Sequence, residues 1–276
     1  MGTNRADHQG AKMLLALLQA NAVPLDMAGN LAMIEAAARD AAAAGADLLL
    51  TPELFVPGYD PERIHAEFEP GQLPRLREQL AQIARNHGIA LVYSLPRSDG
   101  DRLNISATLV DAAGAELLDY GKVHLFGDAE RAAFIGATAA PGVVQFKGLN
   151  LSMVICYDVE FPETVRAAGV RGADVVLVPT ALAHGFDEVP QVLVRARALE
   201  NHVVLAYANH CGVESSVAFG GGSVIVGADG GFLATAGPDA TLLYAQLDAE
   251  TIRSTRKDVP YLSERRPELY AGWARE

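Results

Sequence analysis

Residues 151–163 read LSMVICYDVEFPE, and this stretch indicates how the chain folds. A run of apolar residues, typical of a buried strand, ends at Cys156. Pro162 stands where a first helical turn would begin, a position that suits proline because its missing N–H is not needed there. The stretch therefore predicts a strand followed closely by a helix, with Cys156 at the edge of the sheet.

The same alternation of short apolar runs and amphipathic segments extends in both directions. A turn at 111–114, which reads DAAG, predicts a hairpin. We predict strands at 13–19, 46–51, 89–94, 104–110, 116–120, 144–146, 150–155, 174–179, 203–209, 223–227, 232–236 and 242–246, the last three forming a meander, and helices at 30–44, 73–86, 163–171 and 189–201. A dozen strands are too many for one flat sheet, so we expect two sheets packed face to face with helices outside.

The chain shows no linker that would separate two folded units. No segment rich in Ser, Pro or charge divides it, and no repeat of 20–50 residues is present. We therefore expect a flexible polar N-terminal segment at 1–12 and one folded domain over 13–276.

Composition excludes several classes of protein. The 276 residues are 50% hydrophobic and carry a net charge of −12, which favours a globular protein and argues against nucleic-acid binding. The two cysteines do not form a disulfide framework, and we find no secretory signal and no apolar run long enough to span a membrane. We expect a cytoplasmic protein with reduced thiols.

Three side chains with acid, base or nucleophilic chemistry come at predicted strand ends. The helix N-terminus near Cys156 favours the reactive thiolate. Glu53 directly follows the strand at 46–51, where low polarity would raise its pKa and suit it to proton transfer. Lys122 closes another strand, and a cation there would favour the thiolate and stabilise an oxyanion. Each residue alone is also explained by an inert buried thiol or a solvated loop charge, but the three together indicate a nucleophilic site.

These segments, in this order and at these separations, resemble the nitrilase superfamily of carbon–nitrogen hydrolases. The similar motifs are TPE at 51–53 with GY at 58–59 for the glutamate, GKVHLF at 121–126 for the lysine, and ICYD at 155–158 with FPE at 161–163 for the cysteine. The resemblance covers nearly the whole chain, including FGGGS at 219–223. It implies an α/β fold, a four-layer α-β-β-α sandwich of two packed mixed sheets in a single domain.

The resemblance also implies a Glu-Lys-Cys triad that works through a thioester. Carried over residue by residue, it makes Cys156 the nucleophile, Glu53 the general base and Lys122 the group that stabilises the tetrahedral intermediate. The backbone N–H of Tyr157 is expected to be a second donor to that intermediate.

Further site residues are expected around the triad. Many members carry another glutamate after the lysine motif, and Glu130 is the candidate here, with Asp128 as the alternative. Its role would be to hold Lys122 and position the substrate. The candidates for lining the substrate pocket are Tyr157, Tyr59, Phe126, Thr180 and Ala181.

The residues after the cysteine favour an amidase. Tyr157 and Asp158 resemble amidase-type members, whereas nitrile-hydrolysing members usually have Trp-Glu and carbamoylases often have Asn-Asp followed by basic residues. Val159 and Glu160 offer no guanidinium to a substrate carboxylate. We therefore expect hydrolysis of a small neutral carboxamide to carboxylate and ammonia. Nitrile hydrolysis, N-carbamoyl amino acid hydrolysis and acyl transfer remain alternatives, as do a catalytically silent interaction module and a thiol redox sensor.

Other patterns in the sequence are set aside. The glycines at 220–222 and 230–231 are not followed by the residues of a phosphate loop, and Ser223 lacks the elbow of a serine hydrolase. The histidines show no metal-ligand spacing, so we expect neither a metal nor another cofactor.

Members of the superfamily commonly pair through an outer helical layer, so we expect a homodimer or higher homo-oligomer, with contacts at 163–171 and 189–201. The other expected partner is a small-molecule amide, with no nucleic acid and no membrane.

Overall fold

The computed structural model describes residues 10–273, and within them the chain forms 14 strands and eight α-helices. The strands are β1 (Lys12–Gln19), β2 (Leu48–Leu50), β3 (Ala90–Asp99), β4 (Arg102–Val110), β5 (Glu116–Gly121), β6 (Val144–Phe146), β7 (Leu149–Met153), β8 (Val175–Pro179), β9 (Val204–Ala208), β10 (Cys211–Glu214), β11 (Val217–Gly220), β12 (Val224–Val226), β13 (Phe232–Thr235) and β14 (Thr241–Asp248). The helices are α1 (Met27–Ala43), α2 (Pro61–Glu67), α3 (Leu73–His87), α4 (Gly127–Ala133), α5 (Pro162–Val170), α6 (Val194–Asn201), α7 (Ala249–Asp258) and α8 (Pro267–Trp273).

Two six-stranded mixed sheets form the centre of the molecule. One has the order β14-β1-β2-β3-β4-β5 and the other β13-β12-β9-β8-β7-β6, with β10 and β11 as a separate hairpin. Helices α1 and α3 pack together over the first sheet, and α5 and α6 pack together on the side of the second. Strands β1 and β9 touch, and the two sheets share one apolar core. This confirms the predicted four-layer α-β-β-α sandwich.

The central strands are apolar along their whole length because both faces are covered. Every residue of β2, β8 and β9 is buried. Strands β2 and β8 pair in parallel with both of their neighbours, and β9 pairs in parallel with β8 and antiparallel with β12. Continuous apolar runs are typical of parallel strands that lie between layers. The helices use ordinary end signals: the Asp26 carboxylate accepts from the Gly29 N–H at the start of α1, and Gly88 ends α3 at φ +62°.

Several elements differ from the predictions. Helix α1 begins at Met27 rather than 30, and the segment 189–201 begins as a π-helical turn (Val189–Leu193) before α6. The structure also contains elements that the sequence patterns did not predict, namely α2, α4, α7, α8 and the β10–β11 hairpin. The predicted final meander is wrong because β14 leaves the second sheet and pairs antiparallel with β1 over eight residues, from Lys12 opposite Asp248 to Gln19 opposite Thr241.

Two further predictions concern the N-terminal segment and membrane-spanning segments. Of the predicted flexible segment 1–12, residues 1–9 lie outside the described residues. Strand β1 begins at Lys12, within that predicted segment. Of the helices in the part of the chain that the structure describes, none has both the length and the apolar character needed to cross a bilayer.

Strands from both sheets position the three chemistry-bearing residues. Glu53 lies shortly after β2 and Lys122 directly follows β5, both in the first sheet. Cys156 begins a short 3₁₀ turn (Cys156–Glu160) after β7 of the second sheet. The turn then leads into α5 at Pro162, as the opening motif predicts.

Candidate active site

A buried cluster of three charges lies where these strands end. The Lys122 Nζ donates to Glu53 Oε1 at 2.7 Å and to both oxygens of Glu130, at 2.7 and 2.9 Å. All three side chains are almost completely inaccessible to solvent. We call Glu53, Lys122 and Glu130 the site cluster.

Glu53 is held from its backbone as well as its side chain. Its N–H donates to the carbonyl of Thr180 at 3.3 Å, and its own carbonyl accepts from Nε2 of His210 at 2.6 Å. The next residue, Leu54, has φ +48°, a left-handed conformation that costs energy for a side chain of this size. Since such strain persists only where the surroundings enforce it, these contacts fix the position of Glu53.

The carboxyl group of Glu53 is poised between its two ionisation states. Burial raises its pKa from 4.5 to about 7, against the lowering effect of Lys122 and with a further raising effect of Glu130. Its Oε1 is occupied by Lys122, but its Oε2 is buried and has no hydrogen-bond partner among residues 10–273. A carboxyl group with a pKa near neutrality and a free acceptor atom can accept a proton.

Cys156 lies at the pocket as a nucleophile would, but its environment favours the thiol and not the thiolate that its position in the sequence predicted. Its φ of +47° turns the chain sharply at the end of the strand, and the residue lines a pocket while being 7% exposed. Burial and the charge of Glu53 raise the pKa of the thiol well above 9, which outweighs the lowering effect of Lys122. The nearby cation acts on the thiol in the expected direction, but desolvation and the carboxylates outweigh it, so the net effect of the resting site on the thiol is opposite to the predicted one.

Lys122 remains an ammonium group. Burial opposes its charge, but Glu53, Cys156 and Glu130 outweigh burial and raise the pKa of Lys122. A permanently charged lysine can stabilise negative charge but cannot act as the base at neutral pH.

The structure places Glu130 where the sequence analysis expected a second glutamate. It lies on α4, and its two oxygens accept from the Tyr59 hydroxyl and from the Phe126 N–H, in addition to Lys122. The alternative candidate, Asp128, does not touch Lys122; its exposed side chain pairs with Arg131 at 2.9 Å.

A pocket of about 310 Å³ opens onto Cys156 and Glu130. Of the predicted lining residues, Tyr59, Phe126, Tyr157 and Ala181 lie in its wall. Thr180 does not: its side chain is fully buried, and only its carbonyl reaches the site, through Glu53. That prediction is wrong because the strand end turns Ala181, and not Thr180, toward the cavity.

Two groups of site residues were missed by sequence reasoning. The Asp158 carboxylate accepts from the Tyr120 hydroxyl and from the backbone N–H of His124, at 2.9 and 2.8 Å, and so ties the lysine motif to the cysteine motif. The second group is His210 with Glu214, whose carboxylate also accepts from the Tyr59 N–H at 2.8 Å. Asp158 was noted as part of the cysteine motif, but its role in joining the two motifs was not predicted, and nothing in the local sequence marks His210.

The described residues offer no site for a metal ion. Between residues 10 and 273, no group of three or more His, Cys, Asp or Glu side chains has a suitable arrangement.

Comparisons with known sequences agree with this geometry. A family model described as carbon-nitrogen hydrolase matches residues 14–257. The chain is 40% identical to the protein named "Hydrolase in pqqF 5'region" of Pseudomonas protegens, over 94% of this chain and 90% of that protein. It is 28% identical to the 2-oxoglutaramate amidase of Bacillus subtilis, over 82% of this chain and 87% of that protein.

Solved structures of the amidase from Nesterenkonia sp. AN1 are similar over almost the whole chain. A double mutant of that amidase in complex with acrylamide matches with a TM-score of 0.90 and 46% identity, covering 96% of this chain and 98% of that one. Another mutant of the same amidase shows covalent addition of the acetamide moiety of fluoroacetamide at its active-site cysteine.

Proposed function

This chain belongs to the carbon-nitrogen hydrolase family and is an amidase of the nitrilase superfamily, and on that premise we propose that it hydrolyses a small carboxamide to carboxylate and ammonia through a thioester on Cys156. The observation that carries this proposal is the buried site cluster beside a protonated thiol. Such an arrangement provides a nucleophile on the pocket wall, and behind that wall a base of suitable pKa and a fixed positive charge.

Acylation begins with the thiol. Glu53 takes the proton of Cys156 through its free Oε2 while the sulfur attacks the amide carbon and forms the C–S bond. The negative charge that develops on the amide oxygen is stabilised by the ammonium of Lys122 and by the backbone N–H of Tyr157. Glu53 then gives the proton to the leaving nitrogen, the C–N bond breaks, and ammonia departs from the thioester.

Deacylation repeats these roles with water. Glu53 takes a proton from water as the water oxygen attacks the thioester carbon. The C–S bond then breaks, the proton on Glu53 passes to the sulfur, and the product leaves as the carboxylic acid, which loses its remaining proton to solvent and becomes the carboxylate. Glu53 is assigned both proton transfers because Lys122 is held in its charged form by its two carboxylate neighbours.

The role of the nucleophile is tested with the two cysteines of the chain as a matched pair. Cys156→Ala should abolish ammonia release from small amides, because no other thiol lines the pocket. Cys211→Ala should keep wild-type turnover, because Cys211 is a buried residue of β10 outside the pocket. The proposal fails if the Cys156→Ala protein, folded as judged by circular dichroism, still hydrolyses amides at the wild-type rate.

The thioester itself is tested by a competing nucleophile. Hydroxylamine added during turnover should divert part of the acyl group to a hydroxamate, since a thioester is open to attack by amines. The hydroxamate should be absent with Cys156→Ala. Hydrolysis that proceeds with no trace of hydroxamate at any hydroxylamine concentration would argue for direct attack by water on the amide.

A further inference from the structure

The wall of the pocket carries negative but no positive side chains. Apart from Glu130, its charged members are Asp128 and Glu160, and no Lys, Arg or His side chain is among the residues that line it. Asp128 is exposed and paired with Arg131. Glu160 is half-buried in the 3₁₀ turn that follows Cys156, and its carboxylate forms no ion pair or hydrogen bond within residues 10–273.

The cations nearest to Glu160 are committed elsewhere. Arg197 donates to the backbone carbonyls of Val159 and Glu160, at 3.2 and 2.8 Å, and pairs with Glu200 at 3.3 Å. Lys122 is held by its two carboxylates. Burial and the neighbouring Glu188 raise the pKa of Glu160, so the surroundings disfavour its negative charge. A positive group supplied by a substrate would relieve this cost, and a negative one would add to it.

The rest of the wall is apolar and rich in aromatic rings. Phe126 meets the edge of Tyr157 at a centroid distance of 5.2 Å and lies 6.3 Å from Phe186. On the other side, Tyr59 and Phe219 meet edge to face at 5.9 Å. Aromatic faces accept alkyl chains and attract ammonium groups, but they provide no stabilisation for a carboxylate.

We propose that this pocket accepts amides whose acyl chain is uncharged or ends in an ammonium group and rejects those ending in a carboxylate, with Glu160 as the residue that discriminates. This inference rests on the proposed amidase function and adds the charge class of its substrate. It concerns selectivity alone, since Glu160 has no step in the reaction.

Three amides of matched chain length test the proposal: pentanamide, 4-aminobutanamide and glutaramate, which end in a methyl, an ammonium and a carboxylate group. With the wild-type enzyme, kcat/KM for 4-aminobutanamide should equal or exceed that for pentanamide. The value for glutaramate should be at least about 100-fold lower, because like charges brought together in a site of low polarity repel strongly.

Two variants identify the residue responsible. In Glu160→Gln, the ratio of glutaramate to pentanamide turnover should rise by about tenfold or more, because the repelling charge is gone while the shape is kept. In Glu163→Gln, which removes an exposed carboxylate from the first turn of α5 outside the pocket, the ratio should stay at the wild-type value.

The outcomes separate this inference from the function on which it rests. If pentanamide yields no ammonia, the amidase proposal itself fails. If wild-type enzyme hydrolyses pentanamide but also hydrolyses glutaramate equally well, only the charge selection is overturned. If glutaramate is rejected but Glu160→Gln leaves the ratio unchanged, the selection exists and Glu160 is not its cause. The wild-type ratios decide the first two cases even where a variant folds poorly.

Discussion

Two buried carboxylates in this molecule, Glu53 and Asp174, differ in how completely their oxygens are paired, and the difference separates a catalytic role from a structural one. In the site cluster, Glu53 follows a strand and uses one of its oxygens on Lys122. In a second cluster, Asp174 precedes β8 and uses both of its oxygens: it accepts from the Asn150 N–H at 3.0 Å and from Arg253 and Arg256 at 2.7 and 3.0 Å. Both carboxylates are completely buried.

The difference shows what a buried carboxylate needs in order to do chemistry. Asp174 has no acceptor capacity left over, which is how a folded protein normally satisfies a buried charge. Glu53 leaves Oε2 without a partner within the described residues, and burial raises its pKa to about 7. An unsatisfied buried acceptor costs stability, so its presence beside a presented thiol marks it as functional.

The largest effect is expected from Glu53→Gln. Glutamine keeps the shape of the side chain but cannot accept a proton, so kcat for ammonia release should fall by about 10³-fold or more. Thermal unfolding measured on the same protein should show that the fold is kept. Retention of more than a tenth of the wild-type kcat would mean that the free oxygen of Glu53 is not the proton acceptor.

Glu130→Gln tests whether neighbouring charge sets the pKa of Glu53. Activity requires ionised Glu53, so the acid limb of the wild-type kcat/KM profile should lie near pH 7. The negative charge of Glu130 raises the pKa of Glu53, so its removal should move the limb to lower pH. We also expect kcat to fall by about tenfold, because Lys122 loses one of its two carboxylate partners. A limb that stays in place or moves to higher pH would contradict this assignment.

His210→Phe tests whether the position of Glu53 matters as well as its ionisation. Phenylalanine keeps a ring beside Phe55 and Phe219 but loses the bond from Nε2 to the Glu53 carbonyl and the contact with Glu214. Because Glu53 would be held less firmly, kcat should fall by about tenfold with little change in KM. A tenfold rise in KM with an unchanged kcat would instead indicate that His210 acts on substrate binding.

Asp174→Asn should have the smallest effect on turnover. It breaks the saturated cluster, so we expect the free energy of unfolding to fall by about 1–3 kcal/mol in urea titrations. The kcat of the folded protein should remain at the wild-type value. A large loss of kcat at constant fold would remove the distinction between the two clusters.

Much of the fold and of the site could be predicted from local sequence. Cys156, Glu53 and Lys122 stand shortly after predicted strands, and sheets bring such strand ends together whatever the separation along the chain. The DAAG turn pairs β4 with β5, and Gly114 there adopts φ +77° as a hairpin of this kind requires.

What could not be predicted depends on contacts that no local pattern encodes. The pairing of β14 with β1 joins the last strand of the described chain to the first. The bond from His210 to Glu53 spans 157 positions. The ionisation of Cys156 is set by the sum of burial and three neighbouring charges, and one helix terminus does not decide it. Whether Thr180 or Ala181 faces the pocket depends only on how the chain turns at the end of β8.

The most direct measurement is the pH dependence of Cys156 alkylation by iodoacetamide, followed by peptide mass spectrometry with buried Cys211 as the internal reference. Wild-type Cys156 should react with a midpoint near pH 7, where Glu53 becomes able to accept the thiol proton. In Glu53→Gln the midpoint should move to higher pH. The same midpoint in both proteins, or preferential labelling of Cys211, would contradict the claim that Glu53 and Cys156 act together at one pocket.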